Sequence, residues 1–470
     1  MRRYRYLLPL ILCALIRVGW LAWSPVNPIA PVDAEGFHLL AVNVRAGRGF
    51  SIGWSPPFCP TSVRTPLYPV FLLATYAGLG ADPIRAARGQ VLLEVVTTAL
   101  VIALGRSLAD RIDRDTSLAP RVGFWAGMGY AFSGTATRYV GLLLSESLLV
   151  PLLAWALWMT VRYLHRPGLK WAALSGLAWG LAVLTKPNVQ YLAAGSLLLM
   201  TGRALWDWPG LWRQLGAGVG LFAVVLLPWM WRNHRAFDRW MLSTAFEENL
   251  VRVSAVATLA ETRGVRAEPW SETWEYLYAQ FAERETGRAP SDAQGLPCRA
   301  WARWHRQLAE AARTLVWTHA GSYLRVHLRG VLDHLLDPGH RVWYARITGR
   351  SWEETGVVPD IWDRLAWSLA RGAVGDAIRA FVSERVREIP PIAAWVWWIL
   401  AGIRAGVSAL SLRGGWRLRS DPWVLLLGIG AMGYLLLLPG PIAHDRFLLP
   451  ALPTVLSLAS VGLVPLEPRG

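Results

Sequence analysis

Residues 31–69 carry Asp33, Glu35, His38 and Arg64, two carboxylates, an imidazole and a guanidinium in a polar stretch between apolar segments. A carboxylate so placed can take the proton of a hydroxyl, and a guanidinium can grip a phosphate through two parallel hydrogen bonds. Ionised groups beside hydrocarbon are costly, so a cluster of them marks a functional site. Arg138 and Glu146 bracket a second such place, RYVGLLLSE; Lys186 stands in LTKPN and Arg446 in HDRFLLPALP. Each has a plainer reading. Asp33 could cap the helix that follows it, and Glu35 could face solvent. Glu146 could offset a helix dipole for under about 1 kcal/mol, and Arg64 and Arg446 could snorkel to lipid headgroups. Two acids and several cations gathered on one side of a membrane favour the chemical reading, ionising a hydroxyl and receiving a departing phosphate.

The elements that must position these groups are mostly apolar. Of 470 residues 54% are hydrophobic, 28 are Trp, and the mean hydropathy is +0.31, far from a soluble composition. About ten spans are predicted, over roughly 7–23, 87–105, 122–137, 146–163, 171–186, 188–202, 215–231, 391–403, 422–438 and 447–464. The first follows Arg2, Arg3 and Arg5 like a signal peptide, but no small-residue cleavage site follows, so it reads as a retained anchor. With ten spans, the short basic connections 106–121, 162–170, 203–213 and 403–419 share the cytoplasmic side with the N-terminus. This parity needs 66–80 to be a juxtamembrane or re-entrant helix; if it spans, there are eleven. It also puts the loop 24–86, the Arg138–Glu146 connection, the Lys186-Pro187 turn and 439–446 together outside. Phe37, Leu40, Ala41 and Val44 form one face at i, i+3, i+4, i+7, which predicts a surface helix starting just after Asp33. Pro66 and Pro69 stiffen the turn after Arg64 and hold it at headgroup depth.

Three parts follow: an N-terminal membrane module 1–231, an extracytoplasmic and mostly helical insert 232–390, and a C-terminal membrane module 391–470. In the insert, Trp301, Trp304, Leu308, Ala311 and Leu315, then Ile361, Leu365, Leu369, Ala373 and Phe381, recur at helical spacing. The formal charge is +16, nearly all from Arg, with lysine only at 170 and 186. The arginines are scattered among apolar spans and line no single face, which argues against nucleic acid and for anionic lipid or phosphate. No glycine-rich phosphate loop appears, which argues against a cytosolic ATP site. Cys13, Cys59 and Cys298 have no metal-ligand spacing, and His38, His234, His319, His327 and His444 form no ligand pair. No metal site is predicted; a divalent cation stays open, as does the oligomeric state.

The loop DAEGFHLLAVNVRAGRGF with RTPLYPVFLLA resembles the first outer loop of the GT-C membrane glycosyltransferases, among them the protein O-mannosyltransferases and the lipid A aminoarabinose transferases, the family 39-like group. LLLSESLLV resembles their second acidic motif, GLAWGLAVLTKPN their GLA-x-LTRP stretch, LLPWMWRNHRAF their PW-x-x-RN motif, and RFLLPALP their RY-x-LP-x-P motif. The resemblance implies an all-α polytopic integral membrane protein, a GT-C-like bundle of about 10 (range 9–12) transmembrane helices in a bacterial-type plasma membrane. It also implies inverting transfer of a sugar, hexosyl or pentosyl, from a polyprenyl-phosphate donor to an extracytoplasmic lipid, envelope glycan or protein. By motif position Asp33 is then the catalytic carboxylate, with Glu146 and Glu35 as further acids, and Arg64 and Arg446 face the donor phosphate. Lys186 and Arg138 join these cations, and His38, Tyr68 and His444 fall to the donor or acceptor pocket. Phe37 stands where relatives have Tyr, Lys186 where they have Arg, and Ala34 splits the acidic pair of the mannosyltransferases. The rival from another class is a transporter or flippase for a lipid-linked sugar or anionic lipid. Its passage would place charge at mid-membrane and show related halves, and neither is evident in the sequence.

Overall fold

The computed structural model describes residues 4–23, 27–77, 80–110, 112, 117–207, 211–265, 267, 269–293, 296–336, 372–373, 375, 391–442 and 445–465, and among them there is no strand. Two compact units form: Met1–Ser243 with Ile403–Leu435 and Leu448–Gly470, and Thr244–Gly402 with Leu436–Phe447. The expectations at Ile361, Leu365, Leu369, Phe381 and His444 lie outside the described residues.

The first unit begins with α1 (Leu7–Trp23), α2 (Val32–Arg45) and α3 (Leu67–Thr75). It continues through α4 (Pro83–Ala109), α5 (Leu118–Ala131), α6 (Gly134–Tyr139) and α7 (Glu146–His165). Then come α8 (Leu169–Thr185), α9 (Gln190–Asp207) and α10 (Leu211–Phe237). Among the described residues, α4, α7, α10 from Trp212 and the run Arg446–Leu463 are long and apolar enough to cross a membrane, and three shorter apolar helices accompany them. The chain is a polytopic helical membrane protein. The segment 66–80 holds only the nine residues of α3, about 13 Å of helix, far short of a bilayer core.

Two sequence expectations differ from the structure. The span at 122–137 is broken: α5 stops at Ala131 and α6 restarts at Gly134, where the Ser133 hydroxyl accepts from Ala136 N at 3.3 Å. Arg17, fully buried in α1, fixes this break. Its Nη1 donates to Ala131 O at 2.8 Å and Thr137 Oγ1 at 2.7 Å, its Nη2 to Tyr130 O at 3.1 Å, and its Nε to the buried Glu94 of α4 at 3.1 Å. The guanidinium thus satisfies carbonyls that the end of α5 leaves open, and Glu94 balances its charge. The second difference is at 403–419, expected as a connection. A single helix, α17, runs Pro391–Arg417, followed by α18 (Pro422–Leu437) and, after a 3₁₀ stretch, α19 (Leu452–Leu463). The segment stays helical because Arg417 Nη1 donates to Val461 O and Val464 O, both at 2.6 Å, at the end of α19. Gly414 and Gly462 let the two backbones touch, since a Cβ at Gly414 would stand 1.9 Å from Leu458 O.

The second unit has its own core. After the short α11 (Ala245–Asn249) a π-turn, Leu250–Ala255, leads into α12 (Val256–Thr262) and α13 (Glu272–Thr286). The four-residue α14 (Pro290–Ala293), α15 (Cys298–Thr318) and α16 (Ala320–Leu336) follow. Val251, Val256, Trp274, Leu277, Phe281, Trp304 and Leu308 are buried together, so the helical spacing read at Trp304 and Leu308 is a core face.

Helix contact through small residues gives a test. α8 crosses α10 where a Cβ on Gly176 would stand 1.9 Å from Gly218 O, whereas Gly195 has open space. Gly176→Val is expected to destabilise by about 1–3 kcal/mol through overpacking, and Gly195→Val by far less, read as melting of the detergent-solubilised protein.

Candidate functional site

Asp33 lies in the first turn of α2. The boundary residue is Pro31, so Asp33 stands inside the first turn and not at the N-cap position. Its carboxylate instead receives Arg64 Nη2 in a short ion pair that leaves both side chains about a third exposed, at 36% and 28%. The Arg64 guanidinium lies over the Phe37 ring at 4.8 Å, and Phe37 meets Tyr68 edge to face at 5.0 Å. Phe37 follows Asp33 by four residues and so shares its side of α2. The carboxylate therefore sits at the rim of an apolar cluster of Ala34, Phe37, Leu40, Tyr68, Leu72 and Leu143.

The loop that delivers Arg64 is tied down on both sides. Asn43 Nδ2 donates to Ser51 O at 2.8 Å and to Gly53 O at 2.9 Å. Arg232 Nη1 donates to Thr61 O at 2.9 Å, and Ser243 Oγ to Val63 O at 2.7 Å, the residue before Arg64. Arg232 is itself stacked against Trp229 at 4.8 Å and Phe50 at 5.4 Å, while Trp229 Nε1 and Asn233 Nδ2 both bond Leu242 O. The PWMWRN sequence thus works as a clamp on the Arg64 loop, a role its spacing alone does not reveal.

Glu146 opens α7 and is buried, and Lys186 Nζ donates to its Oε1 at 2.7 Å. Two candidates 40 residues apart are therefore partners. The two pairs flank one scaffold. Tyr68 Oη donates to Gln90 Oε1 at 2.7 Å, and the buried Gln90 returns its Nε2 to Val140 O at 2.8 Å and Leu142 O at 2.9 Å. Leu143 N also donates to Pro28 O at 2.9 Å, joining the turn before Glu146 to the chain before Asp33.

The other candidates are placed as follows. Arg138 is buried in α6. Glu35 is half-buried on α2. His38 Nδ1 shares a hydrogen bond with Tyr76 Oη at 2.9 Å; burial pulls the imidazole below its usual range, and the Glu35 charge opposes this in part. Burial likewise pushes the Tyr76 hydroxyl up, so His38 is a neutral partner of a neutral phenol. Arg446 is buried, its guanidinium 6.0 Å from the Phe447 ring, and it belongs to the second unit. Among the described residues no group of three or more His, Cys, Asp or Glu could hold a metal ion. Asp33 and Glu146 each face a side-chain cation. Arg17, Glu94, Gln90 and Arg232 were not singled out from the sequence. An arginine inside an apolar run was the available signal for Arg17.

No protein-family model matches the chain, and no curated protein matches it. Among solved structures it is similar to the apo oligosaccharyltransferase of Archaeoglobus fulgidus, at 14% identity and a TM-score of 0.43, covering 98% of this chain and 50% of that one. The chain thus spans about half the length of that enzyme. It is also similar to ArnT of Cupriavidus metallidurans, apo at 16% identity, TM-score 0.38 and 96% and 76% coverage. The undecaprenyl-phosphate-bound form gives 16% identity, TM-score 0.39 and 96% and 77% coverage.

The buried pair is open to a double-mutant cycle. Glu146→Gln and Lys186→Met are each expected to destabilise, and the double variant by less than their sum, with a coupling on the order of 0.5–3 kcal/mol in thermal melts.

Proposed function

We propose that the chain is an inverting glycosyltransferase that moves a sugar from a polyprenyl-phosphate donor to a hydroxyl of an extracytoplasmic acceptor. The observation that carries this reading is the Asp33–Arg64 pair, a carboxylate and a phosphate-binding fork held together on a clamped loop at the rim of an apolar cluster. Arg64 presents the group suited to a phosphodiester, and Asp33 the group suited to a hydroxyl proton. The sequence resemblance of these same residues to the GT-C loop supports it independently.

In the reaction, the acceptor oxygen attacks C1 of the sugar as its proton passes to Asp33. The bond from C1 to the phosphate oxygen breaks with its electron pair, and polyprenyl phosphate leaves with its charge held by cations. Arg64 binds Asp33 in the free protein, so a donor phosphate competes for that guanidinium. Donor arrival draws the cation off the carboxylate and leaves Asp33 a stronger base. Base activation is in this way coupled to donor binding. Glu146 with Lys186 holds the turn after α6 and presents a second cation to the donor, and Arg138 is assigned to phosphate charge by motif. Glu35 tunes His38, which with Tyr68 shapes the pocket.

Purified protein in vesicles with radiolabelled polyprenyl-phosphate sugars and an envelope lipid or glycan extract is expected to transfer label to an acceptor. Asp33→Asn should lower the rate roughly 10²–10⁴-fold with membrane insertion unchanged. Label that crosses the bilayer still attached to polyprenyl phosphate would make the protein a flippase instead.

A further inference from the structure

The helix α16 has two faces that differ in what they meet. On one, Gly330 is buried where a Cβ would stand 1.9 Å from Gly440 O, Val331 is buried, and Val326 packs on the core of the second unit. His327 Nε2 donates to Leu437 O at 3.0 Å, which leaves its Nδ1 to accept from Tyr323 Oη at 3.2 Å. On the other, Leu324, Leu328 and Leu335 are exposed at 56%, 43% and 40%, and spacings of four and seven residues put them on one stripe. Trp317, in the last turn of α15, is 76% exposed.

The contacts of the packed face say where this stripe lies. Leu437 is the last residue of the apolar helix α18, and the chain enters the apolar run at Arg446, nine residues later. A connection that short between two membrane helices stays at the membrane surface. Through Leu437 and Gly440, α16 is anchored to that connection, which puts its exposed stripe, about 110° round the helix from His327 and Gly330, at the depth where hydrocarbon gives way to headgroups. Charge agrees. Arg325, whose Nε donates to Glu261 Oε1 at 3.0 Å while its side chain stays about half exposed, and Arg329 each follow a stripe leucine by one residue, a row of cations about 100° round the helix from the apolar stripe. Tryptophan and arginine bordering an apolar stripe suit an interface with anionic lipid.

We propose that α16 is an interfacial membrane helix: Leu324, Leu328 and Leu335, with Trp317, are seated in the boundary between acyl chains and headgroups, and Arg325 and Arg329 face lipid phosphates. The insert is then held against the bilayer, and does not stand clear of it as its polar composition suggests. This inference is independent of sugar transfer.

The test places photoreactive benzoyl-phenylalanine at Leu324, at Leu328 and, as a control on α15, at the exposed Glu310, in the full chain in nanodiscs of phosphatidylethanolamine and phosphatidylglycerol. Irradiation is expected to give lipid adducts by mass at 324 and 328, several-fold above 310, with phosphatidylglycerol enriched over its share of the bilayer. Chain-to-chain adducts at 324 and 328 would show that a second copy covers the stripe, and adduct yields no higher than at 310 would show that water does; either overturns the proposal. Arg325→Gln with Arg329→Gln should return the adduct ratio to the bilayer ratio. An unchanged ratio overturns the assignment of these arginines to lipid phosphates.

Discussion

A charged or amide side chain enclosed by apolar helices has no water to bond, so another part of the chain must satisfy it, and this constraint organises the N-terminal unit. Arg17 illustrates it: one guanidinium from α1 closes the end of α5, bonds the start of α6 and neutralises Glu94 on α4. Gln90 does the same without charge, joining Tyr68 on α3 to the carbonyls of Val140 and Leu142. Remove either and several groups lose their partners at once, which costs more than a single bond. The helix ends that carry Asp33 and Glu146 are therefore placed by interactions buried beneath them.

Above that frame the exposed chemistry is sparse. Two ion pairs, Asp33 with Arg64 and Glu146 with Lys186, differ in burial and so in what they can do. The Glu146–Lys186 pair is a fixture, because Glu146 is buried beside the part-exposed Lys186 and separating them would strand the carboxylate away from water. Asp33–Arg64 is a third open to solvent, where exchange of one anion for another is cheap. The donor phosphodiester carries one negative charge, as the carboxylate does, and can take the guanidinium there through the same two-point contact, and the pair can part without unfolding anything around it. The Arg232 clamp keeps the loop in place while this happens.

Much of the helical order was legible in the sequence, because long apolar runs leave few alternatives: α1 and the start of α7 fall where periodicity and polar punctuation put them, while α2 begins at Val32, ahead of the start after Asp33 that the periodicity gives. Charge sidedness reads 66–80 as a juxtamembrane or re-entrant helix, and α3 there has only nine residues. Positive charge misled at 403–419, where Arg417 serves a neighbouring helix end and the segment is helical. Who pairs with whom was not legible. Asp33 and Arg64 are 31 residues apart and Arg17 and Glu94 are 77, separations at which no sequence spacing brings two side chains together. A clamp such as Arg232 likewise shows only as a motif until its ring stack and carbonyl contacts exist in space.

The central claim is that Asp33 and a donor phosphate compete for one guanidinium, and that the freed carboxylate is the base. Binding of polyprenyl phosphate to purified Asp33→Asn protein, measured beside its transfer rate, tests both halves together. The account predicts that the amide binds polyprenyl phosphate at least as tightly as the natural protein, because its competitor for Arg64 is gone, while transfer is lost. Affinity that falls with the rate, or transfer that survives the amide, would contradict it.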